Sequence, residues 1–121
     1  MATIKAYTDI EQSKRLSKIL PLESADMCYS SDYQVTLCPY QFASWIGVPC
    51  WSLAALLDIF PCSKESPIVN LTRGGWNPSF TKRWFATWED ENKNVFYSCD
   101  GASPVDAVVE LILKLHEQKL L

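Results

Sequence analysis

The residues with the clearest chemical potential lie in one stretch, RGGWNPSFTKRW, at positions 73–84. Three cations, Arg73, Lys82 and Arg83, alternate there with three aromatics, Trp76, Phe80 and Trp84. Two glycines free the backbone and Asn77-Pro78 favours a turn. Guanidinium and ammonium groups donate to phosphate oxygens, and aromatic faces stack on bases, so the pattern suits a nucleotide-like anion. The candidate ligand-binding set is Arg73, Trp76, Lys82, Arg83, Trp84 and, from a later strand, Tyr97, with Trp51 as a further aromatic. The same stretch also has a purely architectural reading, a long hairpin whose tryptophans are core and whose cations reach solvent. Two glycines followed by tryptophan match neither the P-loop nor the dinucleotide fingerprint, which speaks against an NTPase or a dehydrogenase.

Other reactive types form no catalytic constellation, and no catalytic residue is assigned. Cys50 stands just before an apolar helical run, where a helix dipole would lower a thiol pKa, but it lacks a neighbouring base. The only histidine, His116, falls within a helical pattern and reads as a helix-flank residue. Asp9 and Glu11 belong to a helix cap, Asp90 and Glu91 to a hairpin loop, and Asp58 to the end of the apolar run, so no carboxylate pair is poised for acid-base work. Cys28, Cys38, Cys50, Cys62 and Cys99 are separated by 10, 12, 12 and 37 positions and contain no CxxC pair. That spacing does not suit zinc, so neither a metal nor a cofactor is expected, and the cysteines read as reduced, buried, small apolar residues.

Length and composition bound the rest. A chain of 121 residues, 48% apolar and 21% charged, fits one soluble globular domain over residues 1–121. A net charge of −3 argues against sequence-independent binding to nucleic acid, which needs a concentrated basic surface. The opening MATIKAYTDIEQSK has no apolar core of the signal-peptide type, and the expectation is a cytoplasmic chain with no membrane partner.

The elements that must position these residues follow in order. Thr8-Asp9-Ile10-Glu11 reads as a capping box with Thr8 as N-cap, opening a helix that Pro21 stops. Residues 21–32 read as irregular with room for one helical turn, and YQVTLC, 33–38, alternates as a strand. Residues 40–48 are ambiguous between a short strand and a helical turn. PCWSLAALLDIFP, 49–61, is apolar nearly all round and far shorter than the ~20 residues a bilayer needs. It reads as the central buried helix, with Leu53, Ala54, Leu56, Leu57 and Phe60 on its apolar face. IVNLT, 68–72, is a strand, and RWFATWE, 83–89, pairs with VFYSC, 95–99, as a hairpin. Ser103 as N-cap and Pro104 at the first helical position start a last helix that runs to about residue 119 and buries Val105, Val108, Val109, Ile112 and Leu115. Together these predict an α+β fold, with a small, mostly antiparallel sheet of three to five strands packed against about three helices.

The stretches YTDIEQSKRL, ILPLESADMCY, PCWSLAALLDIFP and SPVDAVVELILKLHEQKLL resemble a group of small uncharacterised proteins of phages and mobile elements in gut Bacteroidetes, over about half of the chain. The resemblance implies a small cytosolic accessory protein acting in a host bacterium and brings no catalytic residues with it. Joined to the 73–84 stretch, it gives the expectation of a non-enzymatic anti-defence protein that sequesters a nucleotide-derived immune signal. A pocket for such a ligand in so small a domain is often built between subunits, so a homo-oligomer is expected. The alternative is a protein-protein interaction module that inhibits a host defence protein through aromatic anchors. Single-stranded nucleic acid ranks third.

Overall fold

The computed structural model describes residues 5–29, 35–37, 48–60, 68–74, 83–89 and 95–120. The order of elements is helix α1 (Ile10–Ser17), a 3-10 turn (Leu22–Ser24), strands β1 (Met27–Tyr29), β2 (Val35–Leu37) and β3 (Val48–Cys50), and helix α2 (Leu53–Leu57). Strands β4 (Ile68–Arg73), β5 (Trp84–Glu89) and β6 (Val95–Gly101) follow, then helix α3 (Pro104–Glu117). The fold is α+β and every strand pairing is antiparallel. The described strands form two sheets of three, ordered β2-β1-β3 and β4-β5-β6.

The longest helix organises the core. Ser103 caps α3 by accepting from the Asp106 N–H, with Pro104 in the first turn where its missing donor costs nothing. Its apolar stripe, Val105, Val108, Val109, Leu111, Ile112 and Leu115, is fully buried. Ala86 and Trp88 from β5 are buried in the same cluster, and Val69, Leu71, Trp84, Tyr97 and Cys99 pack against it at its margin. These five come from alternate positions of their strands, the period-2 pattern of a sheet with one face on a helix.

The apolar run at 49–61 plays a different part from the one its composition suggests. The helix within it spans five residues, and of these only Leu56 is buried while Ala54 is exposed. Trp51 ahead of the helix and Phe60 behind it supply the rest of its burial. The run is thus a turn of helix between two aromatic anchors that pack onto the core around α3. Ser52 caps the helix by accepting from the Ala55 N–H, and is itself held by Asp26, which accepts from the Ser52 N–H and hydroxyl.

The N-terminal cap falls one residue later than the spacing suggests. Asp9 is the N-cap of α1, and its capping box is closed by Gln12, whose side chain accepts from the Asp9 N–H. Thr8 is buried and used elsewhere. Its hydroxyl accepts from the Trp51 N–H at 3.1 Å and shares a 2.7 Å hydrogen bond with Ser13, and its carbonyl accepts from the Tyr29 hydroxyl at 2.6 Å. One threonine thus joins α1, β1 and β3.

Candidate functional site

Of the candidate ligand-binding residues, Arg73, Arg83, Trp84 and Tyr97 are described; Trp76 and Lys82, with the rest of positions 75–82, lie outside the described residues, as do the polar loop 90–94 and Cys38 and Cys62. Arg73 ends β4 and Trp84 opens β5, and the two are directly opposite in the register. Gly74 closes this end of the hairpin by donating to the Arg83 carbonyl at 2.8 Å, with a φ of 86° that a side chain would disfavour. Gly74 and Arg83 are therefore a hydrogen-bonded pair, and Arg73 and Trp84 fall at the next position, a non-hydrogen-bonded pair in which side chains approach more closely. The exposed Arg73 guanidinium carbon lies 5.9 Å from the centroid of the half-buried Trp84 ring, within cation-π range.

Arg83 points the other way. Successive strand residues alternate faces, so Arg83 lies on the side of the sheet opposite Trp84 and the α3 core. There its Nε donates to Asp100 Oδ2 at 2.6 Å, an ion pair in which both side chains are more than 40% exposed, at 41% and 45%. One of the five guanidinium donors is used in that contact. Asp100 lies just beyond the strand that alternation gives at 95–99; it is the β6 partner of Phe85, and only the cross-strand register brings it near Arg83.

The remaining aromatics do not converge on this end. Tyr97 stands opposite Trp88, with ring centroids 6.0 Å apart, and is four residues from Gly101, the β6 partner of Trp84. That places it about 13 Å along the strand from the Arg73–Trp84 pair. Trp51 is fully buried, donating to the Ser24 hydroxyl at 3.0 Å, and takes no part in a surface site. The described site is thus a cation stacked on an aromatic at one end of the β4–β5 hairpin, with a second cation on the reverse face of the same end.

Cys50 has the opposite character to a helix-terminus nucleophile. It is fully buried at the end of β3, and burial pushes its thiol pKa up against the lowering effect of hydrogen bonds from Thr8 and Ser13. The sulfur lies 3.4 Å from the Thr8 carbonyl and 3.6 Å from its hydroxyl, while His116 is exposed near the far end of α3. Burial likewise pushes the Tyr29 hydroxyl pKa up, with the neighbouring Cys50 adding to the effect. Among the described residues, no group of three or more His, Cys, Asp or Glu is placed to hold a metal ion. Nor is any described helix long and apolar enough to cross a membrane.

Fold and site together define a small α+β domain that presents a cationic, aromatic hairpin end. Compared with protein-family models, with curated proteins and with solved structures, the chain finds no significant match.

Proposed function

We propose that this chain is a non-enzymatic binding protein whose contact surface is the β4–β5 hairpin end, and that its ligand is a nucleotide-derived anion. The observation that supports this most is the Arg73 guanidinium held over the Trp84 ring. A guanidinium in cation-π contact with a ring keeps its donors for phosphate oxygens, and the exposed position of Arg73 leaves them open to an incoming ligand. Gly74, next in the chain, has no side chain to keep an anion from the backbone. The proposal includes a phage or mobile-element origin, and the role that goes with it is anti-defence: sequestration of a nucleotide-derived immune signal inside a host bacterium, on a homo-oligomer that completes the pocket.

Titration calorimetry against cyclic dinucleotides and cyclic ADP-ribose isomers tests this reading. Saturable binding to one member, reduced at least about tenfold by Arg73→Ala, a loss of roughly 1.4 kcal/mol, is the expected result. Flat titrations across the panel with folded protein overturn it.

One observation favours a second reading, docking on a host defence protein. Arg83 is already paired with Asp100 and lies on the reverse face from Arg73, so these two arginines do not close on a single small anion. Divided between two faces, they would suit a broad protein surface with an aromatic anchor. Recovery of one stoichiometric host protein in a pull-down, lost on Trp84→Ala or Arg83→Ala, would favour docking over sequestration.

A further inference from the structure

We infer that β4 is a homodimerisation edge, at which a second copy of this chain adds its own β4 in an antiparallel register centred on Leu71. The proposal is independent of the ligand reading and rests on the hydrogen-bond parity of the sheet.

Gly74 donates to the Arg83 carbonyl, and Gly74 and Arg83 follow directly on the Arg73–Trp84 pairing. In an antiparallel ladder hydrogen-bonded and non-hydrogen-bonded pairs alternate, so Thr72, Asn70 and Ile68 aim their N–H and C=O groups at β5. Arg73, Leu71 and Val69 therefore turn theirs outward, and β4 is the terminal strand in the order β4-β5-β6. Among the described residues no other strand pairs with that edge.

Natural sheets blunt exposed edges with proline, bulges or charges in the strand. Of the other outer strands, β2 is only three residues long, and β3 and β6 carry such devices. Edge strand β3 contains Pro49, and β6 has a register irregularity opposite Trp88 and Glu89 and carries Asp100. β4, with the sequence IVNLTR, has none in its interior: its pairing to β5 is regular over all six residues, and its only charge is the terminal Arg73. A row of outward donors and acceptors on a straight, β-branched strand is a template for another strand.

The same parity lets a second copy of β4 pair with the first, and the register centred on Leu71 uses all three outward residues. A two-fold axis through Leu71 sets Leu71 opposite Leu71 of the second copy and Val69 opposite its Arg73, so each outward N–H on these three residues meets an outward C=O. Residues of like face are then paired, and the two sheets join as one six-stranded sheet with both α3 helices on the same side. The two Arg73 side chains are held four residues, about 13 Å, apart along the joined strands. A register centred on Arg73 would instead place the two cations side by side, and one centred on Asn70 would pair Val69 with Leu71 but carry Arg73 past the start of the opposing β4, leaving its outward groups unmatched. Each Arg73 meets the aliphatic Val69 of the other copy and keeps its stacking on Trp84.

Sedimentation equilibrium over a wide concentration range, combined with residue-resolved amide exchange on the wild-type protein, tests this. A dimer whose Val69, Leu71 and Arg73 amides exchange about tenfold or more slowly in dimeric than in monomeric samples, with Asn70 and Thr72 unchanged, is the expected result. A dimer in which those three amides are no better protected than in the monomer overturns the proposal. So does a chain that stays monomeric up to about 1 mM, a concentration at which even an affinity of roughly −4 kcal/mol would show.

Discussion

Lys5 Nζ lies 2.7 Å from Asp106 Oδ1, a contact between residues 101 positions apart that ties the entry of α1 to the first turn of α3. The same ammonium donates to Gln12 Oε1 at 2.8 Å and to Asp9 Oδ2 at 2.9 Å. Asp106 in turn accepts from Gln12 Nε2 at 2.8 Å and from the Ser103 hydroxyl at 2.9 Å. Both helix N-termini thus gain a carboxylate, and one lysine bridges them.

This network gives stability a defined pH profile. Burial alone would raise the Asp106 pKa, but hydrogen bonds from Lys5, Gln12 and Ser103 outweigh it and hold the carboxyl below its usual range. Asp9 is lowered in the same way, burial being overcome by the Gln12 backbone and Lys5. Carboxylates that bind protons more weakly in the folded state stabilise it fully above their unfolded pKa of about 3.9, and that contribution is lost as pH falls through the lower folded values. Lys5 is raised, its bonds to Asp106 and Asp9 outweighing burial, so its contribution is complete below 10.5 and lost only as pH rises beyond it. Urea unfolding of Asp106→Asn at neutral pH is expected to show a loss of about 1–2 kcal/mol. The variant's stability should also fall less steeply than wild type below about pH 4.

The sheet approaches α3 closely at Gly101. A Cβ placed there would lie 2.7 Å from the Ala107 nitrogen, 2.7 Å from the Asp106 Cβ and 2.9 Å from the Asp106 carbonyl carbon, two of them backbone atoms that cannot step aside singly. Gly101→Ala must push the start of α3 off β6 and is expected to cost about 2 kcal/mol or more in thermal or chemical denaturation.

At the other end of α3 a substitution should help. The Leu120 N–H bonds to the Leu115 carbonyl at 2.8 Å and the Lys119 N–H to the His116 carbonyl at 2.9 Å, a Schellman closure. It requires a left-handed residue just past the cap, and Lys119 takes that role with a φ of 60°. Lys119→Gly relieves the side-chain strain and is expected to raise stability by about 1 kcal/mol, read as an increase in melting temperature.

Much of this was legible from residue pattern. Ser103-Pro104 and the valine and leucine stripe after it give α3, because cap chemistry and a 3.6-residue period agree there. The alternation in residues 68–72, 83–89 and 95–99 gives the second sheet for a similar reason. β1 and β3 were not legible as strands: each has three residues, too few for alternation to show, and Pro49 argues against a strand unless the strand is an edge, as β3 is. The cap of α1 was displaced by one position because Thr8 and Asp9 are both competent caps, and the choice depends on Trp51 and Ser13 claiming the Thr8 hydroxyl. At the candidate site, alternation puts Trp84, Ala86 and Trp88 on one face but does not say which face meets the core, and the pairing of Arg83 with Asp100 depends on cross-strand register.

Burial and a raised thiol pKa predict that Cys50 is inert in the native protein. In a time course with iodoacetamide followed by mass spectrometry of peptides, Cys50 should remain unmodified under native conditions and react once denaturant is added. Rapid native alkylation would show that β3 opens away from α1.

The binding claim itself rests on Arg73 and Trp84, and calorimetry of the wild-type protein beside Arg73→Ala tests it most directly. Binding of a nucleotide-derived anion that weakens at least about tenfold on loss of the guanidinium, while the melting temperature stays unchanged, is the predicted result. Binding of equal strength to both proteins, or none to either across cyclic dinucleotides and cyclic ADP-ribose isomers, would contradict it.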